Sequence, residues 1–106
     1  MYLVRRWYKT KPGEARRVAT LVHKQAEAYR DAGQRSEFRV SYNGYTLPGE
    51  QDVVCLEWTD SSLETPTRKG HTLPAAALEL GAEVRKLIES QRIEFMELLT
   101  EDKFQE

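Results

Sequence analysis

Five side chains in this 106-residue sequence are of types that could do chemistry together. His71 carries an imidazole, which exchanges protons near neutrality and so suits a general acid or base. Arg6 could hold a carboxylate or an enolate through a charged, forked donor. Trp58 is flat and rigid with an indole N–H, a shape suited to stacking on a planar ligand. Tyr42 and Asn43 bring a hydroxyl and an amide that could orient a polar ring substituent. The joint chemistry would be removal of a proton from a phenol or enol and stabilisation of the anion left behind.

Each of these residues also has a plainer use. A Trp on the apolar face of a central strand packs in a core, an Arg beside a buried surface pairs with a carboxylate such as Glu57 or Glu94, and tyrosines are ordinary sheet residues. His71, beside Arg68 and Lys69, could simply be solvated. His23 falls at the edge of an apolar helical stripe and reads as structural. The single cysteine, Cys55, lies inside an apolar run and reads as a small buried hydrophobe. Neither a CxxC nor a paired Cys and His spacing is present, so no metal is expected. GxGxxG, phosphate-loop, GxSxG and HExxH patterns are absent too, and no cofactor is expected.

The elements that must position these residues follow from periodicity. Tyr2 to Lys9 alternates as a first strand, with Tyr2, Val4, Arg6 and Tyr8 on one face and Leu3, Arg5 and Trp7 on the other. Lys11, Pro12 and Gly13 break it. From Glu14, the residues Ala15, Val18, Ala19, Val22, Ala26 and Tyr29 recur at the helical period, and Gly33 is placed to end that helix. Phe38 to Tyr45 reads as a second strand and Asp52 to Thr59 as a third, joined through Gly44 and Pro48-Gly49; the apolar third strand should be central. Asp60 to Leu73 has no periodic pattern, is long for so small a domain, and is where function is sought. A second helix is expected from Pro74, its stripe running through Ala77, Leu80, Gly81, Val84, Leu87 and Ile88. Gln91 to Thr100 could prolong that helix, but it alternates and the topology needs a closing strand, so it is read as one.

The order strand, helix, strand, strand, helix, strand is the ferredoxin-like βαββαβ arrangement, an α+β fold with a four-stranded antiparallel sheet and two helices on one face. The length suits a single domain over 1–106. Sixteen Lys and Arg against seventeen Asp and Glu are interspersed, which argues against nucleic acid as a partner. The first residues fit neither a signal peptide nor a membrane span, so a cytoplasmic protein is expected. With both helices on one side, the other sheet face is bare, and a second copy of the chain is the simplest cover for it.

The first strand running into Lys-Pro-Gly, the strand pair joined at Leu47-Pro48-Gly49-Glu50, the Glu57-Trp58-Thr59-Asp60 ending of the third strand, and a second helix followed by Ile93-Glu94-Phe95-Met96-Glu97 resemble the dimeric α+β barrel superfamily. The nearest branches are the antibiotic-biosynthesis-monooxygenase-like and NIPSNAP-like proteins. The resemblance implies a C2 homodimer, sheet packed on sheet into a barrel, with a pocket between each sheet and its helices. Members that do chemistry include cofactor-free oxygenases of activated aromatic compounds, and haem-degrading enzymes that combine an Asn on the first strand with a Trp and a His. Trp58 resembles that Trp and His71 follows it, but the first strand here has no Asn, which argues against haem degradation. Two functions are therefore expected in competition. One is a monooxygenase-like binder of an aromatic or polyketide-like small molecule; the other is a non-catalytic homodimeric module whose pocket is filled by side chains.

Overall fold

A computed structural model describes residues 1–61 and 73–105. It contains β1 (Tyr2–Thr10), α1 (Ala15–Asp31), β2 (Phe38–Asn43), β3 (Val53–Asp60), α2 (Ala75–Leu87) and β4 (Ile88–Glu97), with a short 3-10 turn at Glu101–Lys103. The four strands form one antiparallel sheet in the order β2-β3-β1-β4. This is the ferredoxin-like fold expected from the order of elements, and β3 is central as its apolar composition required.

Period-two alternation sorts each strand into two faces. On the helix side, Val4 lies opposite Trp58 and Phe95, Arg6 opposite Leu56 and Ile93, and Tyr8 opposite Val54 and Gln91. Val4, Tyr8, Val54, Leu56 and Trp58 join Val18, Val22 and Ala26 of α1 in the core. The apolar stripe of α1 is therefore the stripe that sequence periodicity marked.

Two turns frame β1 and α1. Gly13 (φ 79°) leads into the helix, and its N–H donates to the Asp52 carboxylate at 3.2 Å. Asp52 itself is left-handed (φ 56°), a conformation that its short polar side chain tolerates better than most. Its backbone closes the sheet end, accepting from Thr10 N at 2.8 Å and donating to Gly44 O at 2.9 Å.

Small residues decide where α2 lies. Ala77, Gly81 and Val84 are its buried positions, and Gln25 of α1 reaches across to donate to Ala77 O at 3.2 Å. A Cβ at position 81 would stand 2.9 Å from the Gln25 side-chain nitrogen, so Gly81 permits this close approach. With α2 packed on α1, the helix side of β4 is left partly uncovered by the described residues: Ile93 and Phe95 are each 42% exposed.

The boundary between α2 and β4 corrects the sequence reading. The strand begins at Ile88, directly after Leu87 and without a loop, rather than at Gln91. Leu87 O accepts from Lys11 N at 2.9 Å, and Ile88 pairs with Thr10 across a register shift at Lys9/Thr10. Pairing with β1 thus starts three residues earlier than alternation alone suggested, and Ile88 belongs to the sheet rather than to the helical stripe. β2 is correspondingly shorter than expected, ending at Asn43.

The other side of the sheet carries no described helix. Arg39 on β2, Glu57 on β3, Arg5 on β1 and Glu94 on β4 are register partners in one row across it. Glu57 takes two arginines, with Arg5 Nε at 3.1 Å and Arg39 Nη2 at 3.6 Å. Glu94 accepts from Trp7 Nε1 at 3.0 Å and from Arg92 Nη1 at 2.8 Å, and these bonds hold its carboxyl below the usual carboxylate range. Cys55 is buried in the next row, opposite Trp7 and Ser41; burial, with the Glu57 carboxylate adding to it, pushes the thiol up to about 11 and leaves it a small apolar group.

Candidate functional site

The chemistry-bearing residues gather on the helix side, at the end of α1. Ala32 caps that helix and Gly33 (φ 73°) follows in the left-handed conformation. Gly33 N donates to Arg30 O and Gln34 N to Tyr29 O, both at 2.9 Å, the two bonds of a Schellman turn. That turn folds the chain back so that Arg35 lies over the core rather than pointing away from it. Ser36 then ties the segment to the end of β3, its hydroxyl donating to Thr59 O at 2.7 Å.

Arg35 is held by aromatic faces. Its guanidinium carbon lies 4.1 Å from the Trp58 ring centroid and 4.5 Å from that of Tyr29. A guanidinium suits this position because it is planar and weakly hydrated, and the ring quadrupoles attract it. Burial pulls its pKa down; the nearby phenols of Tyr29 and Tyr8 and the carboxylate of Asp60 oppose that, whereas Arg6 adds to it.

Arg6 and Tyr8 complete the cluster from β1. Tyr8 is 4% exposed, and burial raises its phenol above the ordinary tyrosine value. Arg6 and Arg35 act the other way on it, Arg6 more strongly. Among the described residues neither Arg6 nor Arg35 has a carboxylate within ion-pairing distance, in contrast to Arg5, which grips Glu57 from the opposite face of the same strand. Beside Arg6 the partly exposed Ile93 offers an apolar shelf. A cleft of about 490 Å³ opens at the Arg35 end, between Ser36, Asp60 and Met1. Two guanidinium groups and two phenols next to aromatic and apolar surface can hold an oxygen anion on a flat molecule.

The structure brings together only some of the residues singled out by sequence. Trp58 and Arg6 are both on the helix side, and Trp58 belongs to the core with Arg35 over its ring. Tyr42, 48% exposed, lines a separate groove between α1 and β2, with β3 between its strand and that of Arg6. Asn43 serves its own hairpin, donating from Nδ2 to Leu47 O and Glu50 O, both at 3.0 Å, and accepting from Leu47 N at 3.3 Å. His71, with Arg68 and Lys69, lies outside the described residues. His23 is exposed, 3.3 Å from the Glu27 carboxylate and edge-on to Phe38. Arg35 is the site residue that sequence reasoning missed. Gly33 was its one signal, since a C-terminal glycine turn predicts that the chain just beyond it folds back onto its helix.

Among the described residues no three His, Cys, Asp or Glu side chains come together as a metal site, and no described helix is long and apolar enough to cross a membrane.

No protein-family model and no curated protein matches this chain. Solved structures do. A candidate antibiotic biosynthesis monooxygenase from Chloroflexus aurantiacus J-10-fl superposes with a TM-score of 0.66 at 13% identity, over 93% of each chain. A dimeric protein of unknown function and ferredoxin-like fold from Bacteroides fragilis gives 0.67 at 16% identity, over 92% of this chain and 95% of that one. An uncharacterised NIPSNAP domain protein from Burkholderia xenovorans gives 0.62 at 14% identity, over 95% and 97%. The likeness is to the same two branches that the sequence resembles. At such identities it carries the fold, and the chemistry has to be argued from the side chains.

Proposed function

We propose that this chain is a homodimeric small-molecule-binding protein of the monooxygenase-like kind, taking a flat aromatic or polyketide-like substrate as its phenolate or enolate on the helix side of the sheet. The observation that carries this reading is Arg6: a cation beside a buried phenol and a partly exposed apolar shelf, with no described carboxylate in ion-pairing distance. An anionic oxygen from a ligand would complete it. In the catalytic form of the reading a base takes the proton of the phenol or enol, Arg6 holds the oxygen anion, and dioxygen is the oxidant that reacts with it. His71 is the candidate base. Trp58 bounds the ligand's flat face, and Tyr42 is a candidate only for substrates that reach toward β2, whereas Asn43 is on the open side with its amide engaged in its own hairpin and drops out of the reading.

One observation favours the competing reading, a non-catalytic dimer. The Trp58 ring that a ligand would stack on is already covered by Arg35. A titration separates the two. Tryptophan emission of the wild type, Trp58→Phe and Arg6→Met is followed against polyphenols, 1,3-diketones in their enolate form, and haem. Saturable quenching that is lost in Trp58→Phe and weakened at least tenfold in Arg6→Met supports the binder and justifies oxygen-uptake assays with His71→Ala. A stable dimer that responds to nothing supports the module.

A further inference from the structure

The groove between α1 and β2 gathers two side chains that the Arg6 site leaves unused, His23 and Tyr42. The His23 ring stands edge-on to Phe38 at the start of β2, with centroids 5.0 Å apart, and Arg30, further along the helix, carries its guanidinium 5.5 Å from the same ring. Helix and strand therefore run in opposite directions, and Tyr42, near the end of β2, comes to line the groove with Arg16 from the start of α1. Val40 and Tyr42 face the helix side, opposite Leu56 and Val54. With Ala19 of α1 they make an apolar floor in a groove of about 340 Å³, room for two fused aromatic rings and their substituents. β3 separates this strand from that of Arg6, so the groove is a place of its own.

The walls of the groove are charged, and unevenly. Its one carboxylate among the described residues, Glu27, is matched twice, with His23 Nδ1 at 3.3 Å and Arg30 Nη2 at 3.9 Å. Arg16 and Lys24 line the same groove, and among the described residues neither has a carboxylate within ion-pairing distance. They are separated by about 12 Å along the helix axis, at a rise of about 1.5 Å per residue, and so flank the apolar floor instead of standing together. A compact anion such as phosphate would meet one of them and leave the floor bare. We infer that this groove is a second binding site, for a flat aromatic dicarboxylate whose rings lie on Val40 and Tyr42 and whose carboxylates reach Arg16 at one end and Lys24 at the other. Arg16 offers a planar fork that a carboxylate fits in two bonds, and Lys24 a point charge on a long stem that adjusts to the ligand's length. The Tyr42 ring gives the flat face a partner.

Titration of 2,6-naphthalenedicarboxylate into the isotope-labelled protein, followed by amide NMR shifts, tests this. The shifts should concentrate on Arg16 to Glu27 and on Val40 to Asn43 and saturate with a Kd of about 0.1–1 mM, the range for a ligand of this size at ordinary efficiency. 2-Naphthoate, with one charge, should bind at least threefold more weakly, and the neutral 2-naphthylmethanol at least tenfold. Arg16→Met and Lys24→Met should each reduce the dicarboxylate to the affinity of the monoacid. Both positions are exposed and Met is a good helix former, so the variants keep the fold. Arg17→Met, exposed on the same helix but outside the groove, should change nothing. Arg6→Met should change nothing either, which separates this site from the one proposed above: shifts centred on β1 and lost in Arg6→Met overturn the groove and leave that reading standing. Equal affinity for the alcohol overturns the part given to the two cations. No saturable shift with any of the three compounds, or a response to an acidic extended peptide alone, overturns the assignment of an aromatic acid.

Discussion

Arg5 and Arg6 are neighbours on one strand, and they meet opposite circumstances. Arg5 faces the open side, where Glu57 lies 3.1 Å away and the carboxylates of a cross-strand row match cation to anion. Arg6 faces the helices, where the groups around it are phenols, aliphatic side chains and a second arginine. Among the described residues the open face pairs its charges within the chain, Glu57 with Arg5 and Arg39 and Glu94 with Arg92. Among the described residues the helix face is rich in hydrogen-bond donors, and neither Arg6 nor Arg35 has a carboxylate in ion-pairing distance, which is the arrangement the proposed anion binding needs. A difference of one residue in register separates a row of paired charges from a candidate binding site.

The difference is broken most severely by disturbing the core that keeps the two faces apart. Leu56 is 3% exposed and sits between Arg6 and Val40 on the helix side. Leu56→Ala should cost about 2–5 kcal/mol, the range for truncating a packed aliphatic side chain. Glu57→Gln, next to it but on the open side, should cost the monomer about 0–1 kcal/mol, because its ion pairs are partly solvated. Urea midpoints of the two variants, measured at a concentration below dimerisation, give the comparison. Equal losses would mean that the faces are not energetically distinct.

The fold was legible in the sequence wherever a period persisted: β1, α1 and β3 repeat their apolar positions long enough to identify both the element and its buried side. It was less legible where two periods overlap. Ile88 satisfies the α2 stripe and also the alternation of β4, and only its pairing with Thr10 decides for the sheet. The site was half legible. Arg6 and Trp58 inherit their faces from strand alternation, so the sequence could place both on the helix side. Arg35 lies in an irregular segment with no period, and its position depends on the local Gly33 turn and on the Ser36 bond to Thr59, which joins residues distant in sequence. Asn43 shows the converse, a polar residue of suitable type whose amide is engaged by a local hairpin that types and spacing do not reveal.

Arg35 provides a sharper measure of the helix face. Replacing it by Ala removes cation–π contact with two rings and should destabilise the protein by about 1–2 kcal/mol, with Trp58 emission shifting to the red as solvent reaches the ring. Arg35→Lys keeps the charge but not the flat stack, so it should recover less than half of that loss. Full recovery by Lys would show that charge alone, rather than the planar contact, matters at this position.

Tyr8 should give the smallest effect at neutral pH and the most specific one in alkali. Its phenol is raised above the ordinary value of 10.0 by burial, so folding favours the protonated form. The sign follows directly: the associated stability is fully present below pH 10 and is lost as pH rises from there through the folded-state pKa. Absorbance at 295 nm should therefore show one of the five tyrosines titrating late, and the denaturant midpoint should fall over the same interval. Tyr8→Phe should remove that alkaline loss while leaving the midpoint at pH 7 nearly unchanged. Arg6→Met should move it higher still, since its guanidinium, with that of Arg35, favours the ionised phenol. The equivalent change on the other face, Arg5→Met, should leave it where it was. If Arg5→Met shifted the Tyr8 titration as far as Arg6→Met does, the two sides of the sheet would share one electrostatic environment, and the assignment of anion binding to the helix face would lose its basis.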